Sequence, residues 1–392
     1  MLLLGASGVV GAGWSACSIY DSSLLLPGVD AGGPDVGAFD AGPLPDATPA
    51  RDADTCPHER WPSRPASDTP GDASTGSIVL ALTSLNLGFP TDAGLAPQRL
   101  GYDLDERCTC PGPESCKTAV PVMHCDEDGG RDNSIGGIIQ RFGAFGGVLD
   151  PTGIAMRLKL GIYGLAVRIV GYNGGADDTK VRVEVYVSAG MDGVQYDGGK
   201  PTPPAYDGND RWTVDPSSLL GGNPDGTDCG NDNVLCVPKN FDDNAYVSGG
   251  VLVSSLPELP LSLGTNAIAV LLVGSVVTGT LTQDAVGYRL DDAQIVGRWA
   301  TKNLLPAFQV FGDPFAPGGH LCGDSGTYQN LKVVICQNAD ITSFPTEDNM
   351  NAPCDSVSAA FGFTASAAKL GVVSTHAPSS TPCGPGWTDD CP

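Results

Sequence analysis

The sequence predicts a mainly β fold: an antiparallel β-sandwich of the jelly-roll or concanavalin-like type, with a small helical, disulfide-tied C-terminal part. Three observations support this prediction. The 392 residues include 53 Gly and 32 Pro, which is typical of many short strands joined by turns. Residues 179–187 alternate strictly between apolar and polar side chains. Thirteen cysteines in one chain are typical of an exported, disulfide-bonded protein.

The N-terminus predicts export. Residues 1–16 carry no charged side chain, are largely apolar, and end in two small residues before Cys17. This arrangement is typical of a bacterial lipoprotein signal, in which the signal segment is removed and the cysteine is acylated. Because Ser18 follows the cysteine, we expect a lipoprotein anchored in the outer membrane of a Gram-negative bacterium. No Lys or Arg precedes the apolar run and Trp14 is atypical, so a secretory signal cut elsewhere is the alternative.

The next segment, residues 17–55, is predicted to be a disordered tether. Between residues 27 and 55, nearly all positions are Gly, Ala, Pro or Asp, and Arg51 is the one basic residue. A segment of this composition cannot bury enough apolar surface to offset its loss of conformational entropy. Residues 56–392 then form the predicted folded body, a disulfide-rich β-sandwich.

Inside the body, residues 179–187 are the clearest predicted strand. Four valines at alternate positions give this strand one buried and one solvated face, as in antiparallel sheets. The apolar run 267–277 predicts a hairpin with Gly274 and Ser275 in its turn. Further strands are predicted over 77–82, 158–170 and 245–255.

Near the C-terminus the spacing of apolar residues changes from a strand period to a helical one. Ile295, Val296, Trp299 and Leu304 fit one helical face, and an Ala-rich segment follows Asp355. The sequence therefore predicts helices near 293–305 and 356–370.

The charge of the chain restricts its partners. Forty-five acidic and 21 basic residues give a formal net charge of −24. A surface this negative repels phosphate backbones, so nucleic acid is excluded as a partner. The composition favours cations, carbohydrate or basic proteins instead, in addition to the bilayer that would hold the N-terminal anchor.

An even number of cysteines remains after Cys17, and all of them are predicted to form disulfides. Zinc is the alternative for the four between residues 108 and 125, but their spacing lacks the paired knuckles of structural zinc sites. The predicted disulfide cysteines are Cys56, Cys108, Cys110, Cys116, Cys125, Cys229, Cys236, Cys322, Cys336, Cys354, Cys383 and Cys391.

The spacing of the cysteines also suggests their pairing. Two local disulfides are predicted, Cys229 with Cys236 and Cys322 with Cys336. An odd number of cysteines would then remain both before residue 130 and after residue 350. At least one disulfide is therefore predicted to join the two groups, with Cys56 as its expected N-terminal partner.

Acidic side chains surround the first cysteine group. Alternating Asp residues, some followed by Gly, place oxygens around a common centre and are typical of calcium-binding loops. A solvated acidic loop is the alternative, because the full twelve-residue calcium-loop pattern is absent. The predicted calcium ligands are Asp103, Asp105, Asp126, Asp128, Asp132 and Asn133.

The same region carries a family resemblance. The segments 101–105, 108–110, 125–126 and 132–134 read GYDLD, CTC, CD and DNS. Together they resemble a pattern in uncharacterised, cysteine-rich exported lipoproteins of myxobacteria. The resemblance implies export and a lipid anchor, and it implies no activity.

A second motif resembles a catalytic loop. Residues 322–326, CGDSG, resemble the nucleophile loop of chymotrypsin-like serine proteases, and the segment around His124 resembles their histidine segment. Thr327, however, stands where that family has a second Gly, and a disulfide-flanked turn explains the same residues. The sequence therefore favours a non-catalytic binding or structural module of unknown ligand. The alternative is an exported hydrolase that uses Ser325 or a pair of carboxylates.

Overall fold

The computed structural model describes most of the predicted body. It covers residues 57–71, 76–87, 99–109, 114–119, 125–143, 151–193, 196–197, 200–230, 233, 235–263, 268–349, 351–374 and 381–392. The predicted signal segment, the tether, Cys17, Cys56 and Cys110 lie outside these residues.

The described residues form twelve strands and four α-helices. The strands are β1 (Ile78–Asn86), β2 (Gly164–Val170), β3 (Asp178–Ser188), β4 (Tyr196–Asp197), β5 (Lys200–Pro201), β6 (Arg211–Val214), β7 (Asn240–Ser248), β8 (Val251–Leu263), β9 (Ile268–Gln283), β10 (Tyr288–Ala300), β11 (Ser356–Ala367) and β12 (Lys369–Val373). The helices are α1 (Ser134–Gly143), α2 (Pro151–Lys159), α3 (Thr301–Ala307) and α4 (Gly326–Gln337). None of them is long and apolar enough to cross a membrane.

Eight of the strands form one closed antiparallel barrel, in the order β1-β11-β10-β9-β8-β7-β3-β2. The predicted β-sandwich is therefore wrong. A sandwich needs two separate sheets, whereas β1 here pairs with both β2 and β11 and closes a single sheet on itself. Alternating strands are common to both architectures, so the sequence pattern alone does not distinguish them.

Apolar side chains from alternate positions fill the barrel. On β3, for example, the predicted valines Val181, Val183, Val185 and Val187 all lie in the main core. Phe361 and Trp299, from β11 and β10, pack in the same cluster. Helices α1, α3 and α4 add further apolar residues to it. The interior is a packed core, because side chains of a barrel with eight strands fill the space inside it.

The two predicted C-terminal helices are strands instead. Residues 293–300 belong to β10, with α3 beginning only at Thr301, and residues 356–367 form β11. Both strands are buried on their outer as well as their inner face, since Val296 and Ala360 pack beneath a covering loop. At Val296 and Ala360 the outward side chain is itself apolar, and this local break in the alternation let the apolar residues of each strand also fit a helical period.

The predicted hairpin at 267–277 is also wrong, because β9 runs without a turn from Ile268 to Gln283. Gly274 has a positive φ of 56° and lies where the register between β9 and β10 shifts. The glycine therefore forms a β-bulge, a feature that needs the same conformational freedom as a tight turn. The predicted strand 245–255 is two strands joined at Gly249 and Gly250, and the predicted strand 158–170 begins only at Gly164, after α2.

Two layers of loop cover the outside of the barrel. The acidic layer, built from 57–62, 99–109, 114–119 and 125–133, packs over outward side chains of β8 to β11, including Val253 and Val276. The basic layer, named for the Arg211 and Lys369 that it carries, is built from β6, 215–230, 233, 235–239 and β12. It packs over outward side chains of β1 to β3, including Ala166 and Tyr186. Each layer has its own small apolar cluster, separate from the barrel interior.

Disulfides fasten both layers and the C-terminal residues. The predicted Cys229–Cys236 disulfide is present, but the predicted Cys322–Cys336 disulfide is wrong. Cys322 pairs with Cys383 instead, and Cys336 with Cys391, so both bonds hold residues 381–392. One N-terminal cysteine does pair beyond residue 350, as Cys116–Cys354. These bonds indicate an oxidising, extracytoplasmic environment.

Candidate metal centre

Backbone hydrogen bonds bring three segments of the acidic layer side by side. The Asp103 N–H donates to the Glu59 carbonyl at 2.9 Å, and the Asp132 N–H donates to the Tyr102 carbonyl at 3.1 Å. The Tyr102 hydroxyl lies 3.1 Å from the hydroxyl of Thr278 on β9. The barrel wall therefore fixes the positions from which the acidic side chains project.

A buried arginine on β10 holds the other side of this region. Arg298 is 1% exposed and donates to both carboxylate oxygens of Asp348, at 2.8 and 2.6 Å. It also donates to the Leu104 carbonyl at 2.8 Å. Because a paired guanidinium is rigid and planar, Arg298 fixes the 101–107 loop and the 342–348 segment relative to each other.

Three carboxylates meet between these supports. Asp103, Asp105 and Asp132 are 3%, 7% and 3% exposed, and one oxygen from each lies within 4.8 Å of the other two. One Asp132 oxygen accepts a hydrogen bond from the Leu104 N–H at 2.7 Å. Among the described residues, neither Asp105 nor Asp132 forms an ion pair. We refer to these three side chains as the carboxylate cluster.

The cluster resists simultaneous ionisation. Burial, together with the charge of Asp103, raises the pKa of Asp105 to about 7. Burial, followed by the charges of Asp105, Asp340 and Asp126, places the pKa of Asp132 well above its usual range. Burial and the charges of neighbouring carboxylates together raise the pKa of Asp126 to about 8. A carboxylate group of this kind carries protons at neutral pH or is neutralised by a cation.

The structure places the six predicted ligands differently. Asp103, Asp105 and Asp132 form the cluster, and Asp126 lies beside it with one oxygen 2.5 Å from the Thr109 nitrogen. The other two predicted ligands lie apart from the cluster. Asp128 has an 87% exposed side chain that pairs with Arg99 at 3.5 Å, and the Asn133 side-chain oxygen accepts from the Ala360 N–H at 3.1 Å. Sequence proximity to the cysteines thus does not by itself bring an acidic residue into the cluster.

Two neighbours of the cluster were not predicted. His58 pairs through Nδ1 with Asp103, and it lies near Cys108. Cys108 is disulfide-bonded, so it offers no thiolate to a metal. Asp340, from the segment before β11, is held by the backbone N–H of Ser358 and by two serine hydroxyls. No local motif identifies Asp340, because only the closed fold brings it to this place.

Ser325, the predicted alternative nucleophile, caps a helix. Its hydroxyl accepts from the Tyr328 N–H at 3.1 Å, at the start of α4, and donates to Asp313 at 2.5 Å. His124, the predicted base, lies outside the described residues. The described contacts of Ser325 are those of a helix N-cap in a turn.

No protein-family model, curated protein or solved structure matches this chain. The resemblance to exported lipoproteins of myxobacteria therefore stays a prediction, and the geometry described above is the basis for any functional conclusion.

Proposed function

We propose that this chain is a lipid-anchored extracytoplasmic binding or structural module whose acidic layer is stabilised by calcium. The carboxylate cluster is the observation that supports the calcium site. Its three members are almost fully buried, and among the described residues only Asp103 forms an ion pair, with His58. Burying several charges without compensation is too costly to persist, so protons or a metal ion must balance them.

The geometry and chemistry of the cluster suit calcium. Calcium binds carboxylate and other oxygens at about 2.3–2.6 Å, so ligands on opposite sides of the ion lie about 4.6–5.2 Å apart. The oxygens of Asp103, Asp105 and Asp132 fall within 4.8 Å of one another, a span that one such ion bridges. Hard oxygen donors also favour calcium over zinc or copper. Asp126 is near enough to add charge to the site.

The alternative, an exported hydrolase, has less support. A carboxylate-based hydrolase needs a cleft that admits substrate between its two acids. The members of the carboxylate cluster are at most 7% exposed, so a glycan chain has no room between them. Ser325 is engaged in capping α4, as described above. Both observations favour the non-catalytic reading.

The proposed location, at the outer membrane, is supported by the N-terminal sequence and by the disulfides. Residues 1–16 would direct export, Cys17 would carry the lipid in the outer membrane, and residues 17–55 would hold the body away from the bilayer. Mass spectrometry of the native N-terminus tests this proposal. An acylated Cys17 supports it, whereas an unmodified N-terminus beyond residue 17 contradicts it.

The calcium proposal is tested by thermal unfolding of the mature chain in excess chelator and in millimolar calcium. Calcium should raise the melting temperature, because a ligand that binds only the folded state at about 100 times its Kd adds about 2.7 kcal/mol of stability. The substitution Asp132→Asn should remove this response while keeping an acceptor for the Leu104 N–H.

Asp128→Asn is the matched control, since it makes the same chemical change at an exposed aspartate outside the cluster. It should leave the calcium response intact. Identical unfolding curves for the wild-type chain in chelator and in calcium would exclude the site. An equal loss of response in both variants would show that calcium acts elsewhere.

A further inference from the structure

A surface pocket of about 400 Å³ lies in the basic layer, on the outside of β1 and β2. Three cationic side chains line it: Arg168, Arg211 and Lys369. Val79 and Leu370 contribute an apolar part, and none of the residues lining the pocket is acidic. Two of these cations form ion pairs with neighbouring carboxylates, so Lys369 is the cation of this pocket that is left for a ligand.

The strand register creates part of this charge. Strands β6 and β12 run parallel, and Arg211 is directly opposite Lys369. Like charges at directly opposed positions of a sheet destabilise it, so the pair needs compensation from its surroundings. Arg211 receives it from Asp192 at 3.3 Å and from Asp228 at 2.6 Å.

Lys369 does not receive the same compensation. Its ammonium donates to the neutral side-chain oxygen of Asn209 at 2.9 Å. Within the described part of the chain, no carboxylate lies within ion-pair distance of Lys369. An ammonium has three donors, and a neutral amide oxygen cannot balance its charge.

The third cation is held rigidly at the pocket wall. Arg168 is 11% exposed in its side chain, and its Nε donates to Glu184 at 2.5 Å. The Tyr186 hydroxyl and Arg182 donate to the same carboxylate, at 2.8 and 2.7 Å. These contacts fix the guanidinium in place and lower the entropy that binding would otherwise cost.

We propose that this pocket binds a small organic carboxylate of about the size of a sugar acid. The volume falls within the range of ligand pockets, and arginine and lysine are the side chains that recognise carboxylates. A large polyanion is disfavoured, because the net charge of −24 would repel it at longer range. The inference rests on the proposed function, since it gives the binding module a ligand class, but it uses residues separate from the carboxylate cluster.

The test is titration calorimetry of the mature chain with D-glucuronate, and with D-glucose as the matched neutral probe. Glucuronate should bind and glucose should not. Lys369→Gln should weaken glucuronate binding about tenfold or more, because it removes a charge-assisted hydrogen bond. Lys302→Gln, at an exposed lysine on α3, is the control and should bind as the wild-type chain does.

Three outcomes would overturn the proposal: equal affinity for glucuronate and glucose, equal effects of the two lysine substitutions, or binding of inorganic sulfate without binding of glucuronate. The last result would assign the pocket to inorganic anions. The calcium response of the wild-type chain separates this proposal from the previous one. If the wild-type chain responds to calcium but binds no glucuronate, the pocket proposal alone is wrong.

Discussion

The two outer layers of the barrel deal with buried acids in opposite ways. Glu184 beneath the basic layer and Asp132 in the acidic layer are each 3% exposed. Burial opposes the ionisation of Glu184, yet hydrogen bonds and charge from Arg168 and Arg182 outweigh it and lower the pKa of that carboxyl. Burial raises the pKa of Asp132, and the charges of neighbouring aspartates raise it further.

The comparison shows that burial alone does not decide whether an acid is charged. The two residues have the same exposed fraction, although Asp132 is packed more deeply, and the opposite sign of the neighbouring charges adds to the difference. Glu184 has its compensating cations in Arg168 on β2 and Arg182 on β3. Among the described residues, Asp105 and Asp132 form no ion pair, and for this reason we propose the metal in the acidic layer.

The largest effect should come from the disulfides that fasten the two layers. Cys116–Cys354 links residues 238 apart, and Cys229–Cys236 links residues 7 apart. In the chain-entropy model, removing the first by double alanine substitution should cost about 5 kcal/mol, and removing the second about 2.5 kcal/mol. Urea unfolding of the two double variants measures both. Equal losses would show that loop closure in the unfolded chain does not set their contributions.

The second largest effect is expected at Glu184, the buried acid beneath the basic layer that pairs with two arginines. Glu184→Gln should destabilise the fold by about 3 kcal/mol, because it leaves Arg168 and Arg182 without their shared buried partner. Asp243→Asn is the control, since its half-exposed carboxylate pairs with Arg182 at the surface. We expect that substitution to cost less than about 1 kcal/mol. If Glu184→Gln leaves the free energy of unfolding unchanged, the ion pairs of Glu184 only offset the cost of burying their charges.

The third effect tests the unpaired acids of the acidic layer through pH. The pKa values of about 7 for Asp105 and about 8 for Asp126 lie above those of the unfolded chain. The folded state therefore holds more protons between about pH 4 and pH 8, and its stability falls as pH rises through that range. In excess chelator the slope should approach about 1.4 kcal/mol per pH unit for each proton held.

Calcium should reverse most of this loss, so the stabilisation by calcium should grow from pH 5 to pH 8. Denaturant unfolding at both pH values, with and without chelator, provides the measurement. Asp105→Asn removes one titrating group and should reduce the slope in chelator. The other charged residues that surround the cluster, including His58, Asp340 and Asp348, are the same in the wild-type chain and in the Asp105→Asn variant. A stability that rises with pH in chelator would contradict the raised pKa values.

Much of the barrel wall was predictable, but its closure was not. The valines of β3 alternate because one face meets the core, and the sequence shows this directly. β11 gave the wrong prediction although it alternates: Val357, Ala359 and Phe361 face the core, while the outward face carries small residues such as Ser358 and, at one position, the apolar Ala360. Whether the sheet closes depends on the pairing of β1 with β11. No sequence pattern within either strand identifies the other as its partner.

The acidic site was predictable in part for a similar reason. Asp103, Asp105 and Asp132 lie near the cysteines in sequence, and their density in this region suggested a common centre. The sequence cannot show that Asp128 points to solvent, since this depends on the turn at Gly129 and Gly130, both at positive φ. Asp340 and the arginine Arg298 come from other parts of the fold, so only the three-dimensional structure adds them.

The barrel closes when β1 pairs with β11, so closure requires a strand near each end of the folded body. Thr83 on β1 and Thr364 on β11 are hydrogen-bonded at a sequence separation of 281. Until β11 is present, β1 and β10 each have an unpaired edge, and such edges promote association between chains. Contacts this distant in sequence also slow folding. We therefore expect this chain to fold slowly and to be prone to association until β11 pairs with β1.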